Sequence, residues 1–237
     1  MDMLKPALYL IPVTLGDSSL GRVLPEYNRE VILGISHFIV EEVRTARRFL
    51  KQVEKGIDID RLTFYPMGKH ADEAAFRKYL EPLVKGEPVG VISEAGCPAI
   101  ADPGAQIVAI AHQMNLPVVP LVGPSSILLA LMASGFNGQC FAFHGYLPID
   151  VSARASAIKK MEEQIRIKKQ TQIFIETPYR NEQLFGELLK TCHDNTMLCV
   201  ASGITCPEEY IHTHTIREWR KKTAPALCKI PTIFLLY

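Results

Sequence analysis

The chain has 237 residues, 48% hydrophobic and 22% charged, with a formal net charge of +1. That balance belongs to a soluble globular protein long enough to bury a sizeable core as one domain or two small ones. It excludes a global basic field of the kind that announces nucleic acid, leaving only a local patch, and no apolar run approaches the roughly 18 residues of a membrane span.

The opening Met1-Asp-Met-Leu-Lys-Pro6 lacks the charged segment and apolar core of a signal peptide, so a cytoplasmic location is expected, with no membrane partner. Ala7–Pro12 reads as a short apolar strand, and Val13–Asp17 as the loop at its carboxyl end, where open α/β sheets bind ligands. A helix over residues 26–35 and a strand Phe38–Glu41 follow. The next helix opens at Glu42, because Val43, Ala46, Phe49, Leu50 and Val53 recur at i, i+3 and i+4 spacing. Its first turns carry Glu41, Glu42, Arg44, Arg47 and Arg48. They are either a solvated face with acid favourably placed at the helix start or a cluster that meets a polyanionic substrate. Leu62–Tyr65 suggests another strand and Asp72–Val84 a helix.

The stretch Val89–Gly104 begins as a buried apolar strand, breaks at Ser93–Pro98 and restarts as a helix from Pro103 to Met114. Gly96 allows close backbone approach or a positive φ, Pro98 stiffens the turn, and Asp102-Pro103 reads as a helix cap with proline at the first helical position. Strand Leu116–Leu121 then turns through Val122-Gly-Pro-Ser-Ser126 into the helix Ile127–Ala133. Two such loops at neighbouring strand ends predict one ligand crevice.

Gly135-Phe-Asn-Gly138 breaks the pattern, which divides the chain into α/β domains at 1–136 and 137–237. The second domain reads as a mixed sheet. It has strand Cys140–His144, a basic helix Ser152–Lys169, strand Thr171–Glu176, the turn Thr177–Arg180, and a helix from Asn181 to Cys192. Strands Thr196–Ser202 and Glu209–Thr215, a short helix at Trp219 and strand Pro231–Tyr237 complete it.

Among chemical candidates, the six cysteines (Cys97, Cys140, Cys192, Cys199, Cys206 and Cys228) contain no Cys-x-x-Cys pair and read as reduced apolar residues. His212 and His214 share a strand face without an evident third ligand, so no metal is expected. Ser125 and Ser126 lack the Gly-x-Ser-x-Gly elbow of serine hydrolases, and neither a Gly-x-Gly-x-x-Gly fingerprint nor a P-loop is present.

Five segments, in order over most of the chain, resemble those of the tetrapyrrole methylase-like (class III) S-adenosylmethionine-dependent methyltransferases. The closest likeness is to the ribosomal RNA small subunit methyltransferase I branch. Ser93-Glu-Ala-Gly-Cys-Pro98 with Ala101-Asp-Pro-Gly104 stands where that branch has Ser-Asp-Ala-Gly-Thr-Pro and Ser-Asp-Pro-Gly. Val119-Pro-Leu-Val-Gly-Pro-Ser-Ser126 matches Val-Pro-Leu-Pro-Gly-Pro, and Glu41-Glu-Val-Arg44 matches Glu-Asp-Thr-Arg. Gly145-Tyr-Leu-Pro148 and Phe174-Ile-Glu-Thr-Pro-Tyr-Arg180 match Gly-Phe-Leu-Pro and Phe-Tyr-Glu-Ser-Pro-x-Arg. The first loop departs from the pattern, with Thr14 and Asp17 in place of a proline and an asparagine.

The resemblance implies two α/β domains with S-adenosylmethionine in the cleft between them, and a homodimer. It implies cofactor contacts at Pro12, at Ser93, Glu94, Ala95, Gly96 and Ile100, and at Ser125, Ser126, Glu176, Ala201, Ile230 and Pro231. Methyl transfer to an rRNA ribose 2′-hydroxyl, on free RNA or the small ribosomal subunit, would need a proton acceptor. Glu42 is the first candidate and Glu94 the second, with Arg44, Arg47 and Arg180 as substrate contacts. Glu42 could instead serve only as a helix cap, and Arg180 only as a partner for Glu176. The alternatives are methylation of a tetrapyrrole or other small molecule and a non-catalytic S-adenosylmethionine-binding module.

Overall fold

Short apolar runs of the first half pair into a sheet whose strands all point the same way. The computed structural model describes residues 4–67 and 73–237. Its first unit runs β1 (Leu8–Ile11), α1 (Leu20–Val23), α2 (Glu26–Leu33), β2 (His37–Val40), α3 (Val43–Val53), β3 (Thr63–Pro66), α4 (Glu73–Tyr79), α5 (Glu81–Val84), β4 (Val89–Ile92), α6 (Gly104–Gln113) and β5 (Val118–Pro120). Among the described residues the strand order is β3-β2-β4-β1-β5, with every pairing parallel. All four residues of β4 are buried, as expected for a central strand covered on both faces. Because β4 lies between β2 and β1, the loops after β2, β4, β1 and β5 stand in a row along one carboxyl edge.

The helix expected over Asp72–Val84 is divided at Leu80 into α4 and α5. Pro82 has no N–H to donate back to the preceding turn, so one continuous helix would lose a bond there. Asp72 lies outside the described residues.

The second unit contains α7 (Ser126–Ser134), β6 (Phe141–Tyr146), α8 (Val151–Lys168), β7 (Thr171–Ile175), α9 (Asn181–Thr191), β8 (Met197–Ser202), β9 (Tyr210–Thr215), α10 (Ile216–Trp219) and β10 (Thr232–Leu236). Its sheet is mixed, in the order β6-β7-β10-β8-β9: β6 and β7 are parallel, while β10 runs antiparallel to both of its neighbours. In its core, Phe174 and Phe234 stack at 5.9 Å and Phe185 meets Trp219 edge-on at 5.4 Å. No helix of the described residues is long and apolar enough to cross a membrane.

The division between units falls at Ser125/Ser126, not after residue 136. The reason is α7, which packs on β10, β9 and β8 and is tied to β9 by the Thr213 hydroxyl donating to the Ser134 carbonyl at 2.9 Å. Gly135–Gly138 is therefore a turn within the second unit. It follows a helix that the sequence pattern assigned to the first.

Trp219 is 1% exposed and its indole N–H donates to the Leu198 carbonyl at 2.8 Å. Trp219→Ala removes that packing and that donor together. It is expected to destabilise the protein by about 3–5 kcal/mol, read as a lower urea midpoint.

Candidate active site

The edge of the first sheet is built by loops that hold one another. Val13 N–H donates to the Gly96 carbonyl (3.0 Å) and Leu121 N–H to the Leu10 carbonyl (3.0 Å). The Asn28 amide donates to the Val122 carbonyl (2.8 Å), and the Cys97 thiol to the Pro124 carbonyl (3.4 Å). Gly96 has φ +69°, and a Cβ there would meet Leu15 at 3.0 Å and the Pro124 carbonyl at 3.3 Å. A Cβ on Gly123 would lie 2.3 Å from two ring atoms of Pro12, so those two residues close against each other only because one is glycine.

Within the loop after β4, Ala99 and Ala101 take left-handed backbone conformations, with φ of 67° and 60°. The Asp102 carboxylate stabilises that path: its Oδ1 accepts the Ala99 N–H at 2.7 Å and the Gly104 N–H at 2.8 Å. The pattern places Asp102 at the cap and Pro103 at the first helical position; α6 instead opens at Gly104 with Pro103 at the cap position, and Asp102, one residue earlier, ties the loop to α6 through the Gly104 N–H. The Ser93 hydroxyl is buried and donates to the Gly96 carbonyl at 3.4 Å, whereas Glu94, Ala95 and Ile100 are exposed. Pro12 is buried, and Ser125 is half-buried at the end of the unit.

Three carboxylates converge at this edge. Glu41 Oε1 accepts the Glu94 N–H at 3.2 Å. Burial, and then the charges of Asp102 and Glu94, raise the Glu41 carboxyl above the usual range despite that bond; burial likewise raises Asp102 against its two backbone donors. Glu94 Oε1 lies 2.6 Å from the Thr45 hydroxyl, which is also 2.9 Å from the Glu42 carbonyl. The Glu42 side chain is exposed and accepts the Arg44 N–H at 3.1 Å, so it caps α3. The Cys97 thiol is pushed up by burial and by Asp102, which keeps it a donor and not a thiolate.

On α3 the residues Ala46, Phe49 and Leu50 face the core, while Arg44, Arg47 and Arg48 are exposed. Arg47 lies over the Phe64 ring at 5.3 Å. Neither Arg44 nor Arg48 forms an ion pair among the described residues.

The second unit presents its own edge. Because β10 is antiparallel to β7 and β8, its start at Ile230–Pro231 adjoins the ends of those strands, where Glu176 and Ala201 lie. Gly203 N–H donates to the Pro231 carbonyl (3.0 Å), and the Asn181 amide to the Ile230 carbonyl (2.7 Å). Asn181 Oδ1 is buried with no partner among the described residues. Ala201 is wholly buried inside β8, Ile230 is half-buried and Pro231 is exposed. Ser126 opens α7. Arg180 is paired with Glu176 at 2.7 Å, and Glu176 Oε1 also accepts the Thr177 N–H at 2.6 Å.

With this geometry in place, comparison with known proteins decides the family. The chain is 31% identical over 217 residues to the ribosomal RNA small subunit methyltransferase I of Mesorhizobium japonicum, a match covering 90% of this chain and 69% of the relative. The chain belongs to the ribosomal RNA small subunit methyltransferase I family. The family member of Vibrio cholerae is 28% identical over 213 residues, covering 90% of this chain and 70% of its own length. For that of Buchnera aphidicola the match is 32% over 146 residues and spans half of the relative. No protein-family model matches the chain.

The fold is that of the tetrapyrrole methylases. The methyltransferase CobJ superposes with a TM-score of 0.63 at 16% identity, covering 97% of this chain and 93% of the other. The uroporphyrin-III C-methyltransferase of Thermus thermophilus, solved with S-adenosylhomocysteine, gives 0.55 at 17%, covering 97% and 96%.

Within this family member, residues the sequence pattern did not single out are Glu41 as the perturbed carboxylate, Thr45 as the hydroxyl on Glu94, and Asn181. Adjacent glutamates at a strand-to-helix junction look equivalent in a sequence, and only the backbone path decides which one turns inward.

Asp102→Ala removes the acceptor shared by two N–H groups and is expected to cost about 1–2 kcal/mol in chemical denaturation. The raised Glu41 carboxyl gives a pH signature. The folded state keeps a proton that the unfolded chain has released, so ionising Glu41 lowers stability as pH rises from its ordinary value through the raised one. Glu41→Gln is therefore expected to melt above wild type at pH 7. That advantage should shrink toward pH 4, measured as the difference in thermal midpoint.

Proposed function

We propose that this protein is an S-adenosylmethionine-dependent methyltransferase that methylates ribose 2′-hydroxyls of small-subunit rRNA, working in the cytoplasm as a homodimer. The observation that carries the reading is the family relationship, to proteins named for that RNA, together with the braced loop after β4 and its converging carboxylates. When bound, the cofactor supplies an electrophilic sulfonium methyl.

The residues present fit such a group. Exposed Glu94, Ala95 and Ile100 on a rigid loop offer polar backbone and an apolar face, and nearby carboxylates suit a cation. In the second unit, the unpartnered Asn181 Oδ1 beside Ile230 is an acceptor awaiting a donor. Pro12, Ser93, Gly96, Ser125 and Ser126 shape the loops, while Glu176, Ala201, Ile230 and Pro231 line the second edge.

Alignment of acceptor and methyl supplies most of the rate in an in-line displacement, which rigid strand-end loops favour. A ribose hydroxyl must also lose its proton. Of the three glutamates, Glu42 is occupied as a cap and Glu94 accepts from Thr45. Glu41, whose carboxyl burial raises above the usual carboxylate range, is the better-matched acceptor, with Glu94 second. Arg44 and Arg47 on the open face of α3 would meet phosphate, with Arg180 in the second unit as a further substrate contact.

The deciding experiment uses labelled S-adenosylmethionine with small-subunit particles from a strain lacking the enzyme. Label is expected in the rRNA, and a particle that stays unlabelled removes the substrate reading. Glu41→Gln should lower kcat on the order of 10²-fold with cofactor affinity intact, while Glu42→Gln stays near wild type. Arg44→Ala should weaken RNA binding and flatten its salt dependence, leaving cofactor affinity unchanged by calorimetry.

A further inference from the structure

Beyond the carboxylate edge, the second unit contains a cavity of about 160 Å³ lined by Ile149, Arg154, Glu176, Arg180, Gln183 and Leu184. Its walls are held by groups whose bonds are already made. Arg154 is 4% exposed, donates to both the Pro148 and Ile149 carbonyls at 2.9 Å, and pairs with Glu187 through Nη2 at 2.7 Å. That guanidinium is spent on the wall.

Other lining groups are only half used. Glu176 Oε1 takes the Thr177 N–H and Arg180 Nη2, which leaves Oε2 without a partner among the described residues. Arg180 spends Nε on the Thr177 hydroxyl and Nη2 on Glu176, and Nη1 is unused. Gln183 donates its amide to Glu187 and keeps its carbonyl oxygen. The cavity therefore offers acceptors beside a fixed cationic donor, with the apolar side chains of Ile149 and Leu184 also in its lining. That set complements a flat ring with donor and acceptor atoms on one edge. The size is selective, since a cavity of roughly 150 Å³ accommodates a single benzene ring. Tyr179, in the same turn as Arg180, is 76% exposed, and Ile149 is 75% exposed. An exposed aromatic next to a half-used guanidinium is what an unstacked base finds on single-stranded RNA readers.

We infer that this cavity holds one unstacked pyrimidine base of the RNA substrate, an assignment that rests on the RNA reading above. Glu176 and Arg180 read the base edge, which gives Glu176 to the RNA in place of the cofactor contact the resemblance implies, and Tyr179 stacks on the same or the neighbouring base. The Glu176–Arg180 charge pair of the turn is then a recognition device as well as a partly buried ion pair within this chain.

The test uses the full chain with methyl-labelled isoleucine and leucine, titrated with cytidine, uridine or adenosine both without and with saturating S-adenosylhomocysteine. Cytidine or uridine is expected to shift the Ile149 and Leu184 methyl signals, with adenosine weaker. No shift with either pyrimidine, an equal shift with adenosine, or a response abolished by S-adenosylhomocysteine overturns the assignment, the last by giving the cavity to the cofactor. In methylation assays, Tyr179→Ala and the cavity-plugging Ile149→Trp alter exposed side chains and so spare folding. Each should raise KM for small-subunit particles roughly tenfold without changing cofactor affinity. Wild-type KM in both variants, with rRNA still labelled, overturns the cavity alone. Failure of wild-type protein to label rRNA overturns the function and the cavity together.

Discussion

A single carboxylate oxygen, Asp102 Oδ1, receives the N–H groups of Ala99 and Gly104, and the loop after β4 depends on that double capture. Between those two donors the chain passes through left-handed alanines, each costing on the order of 1–2 kcal/mol relative to a relaxed backbone. Two charge-assisted bonds of the usual strength offset that cost only while the carboxylate is present and shielded from water. Shielding has its own consequence, because burial raises the Asp102 carboxyl and its charge in turn helps to raise Glu41. The bond that shapes the loop therefore also sets the electrostatics of the edge.

The two sheets do different jobs by the same means. In the first, parallel pairing forces every strand to end at one edge, so loops distant in sequence become neighbours and bond to one another's carbonyls. In the second, antiparallel β10 brings its own beginning to the ends of β7 and β8, so a start and two ends share an edge. Both edges are bound by backbone hydrogen bonds, which fix position better than long side chains do. Methyl transfer depends on such fixed position.

Much of this was legible from residue order. Alternation and 3.6-residue periodicity locate almost every strand and helix to within a residue or two, because each must bury one face. The pattern failed where local signals gave the wrong scope. Gly135–Gly138 is a true turn, yet the helix before it is apolar on several sides, and nothing in its sequence says which sheet it covers. The break at Leu80 follows from Pro82, whose missing N–H the periodicity of the run does not register. The motif positions fell on strand ends, but the pattern does not say which of Glu41 and Glu42 turns inward and which caps α3. On β9, His212 is exposed and His214 half-buried, and both belong to an aromatic row in which His212 lies 4.4 Å from Tyr210 and His214 lies 4.9 Å from Trp219.

Residue order by itself determined the elements, the α/β character of both halves, the strain-tolerant Gly and Pro positions of the loop after β4, and the family. These are local properties, set by side-chain period, by allowed φ, or by motif identity. Tertiary structure alone decided that α7 belongs with the second sheet, that Glu41 and not Glu42 turns into the carboxylate cluster, and that Arg180 spends part of its guanidinium on Glu176. Each of those outcomes depends on which surfaces meet, and burial and charge proximity exist only once distant segments have been brought within a few ångströms of one another.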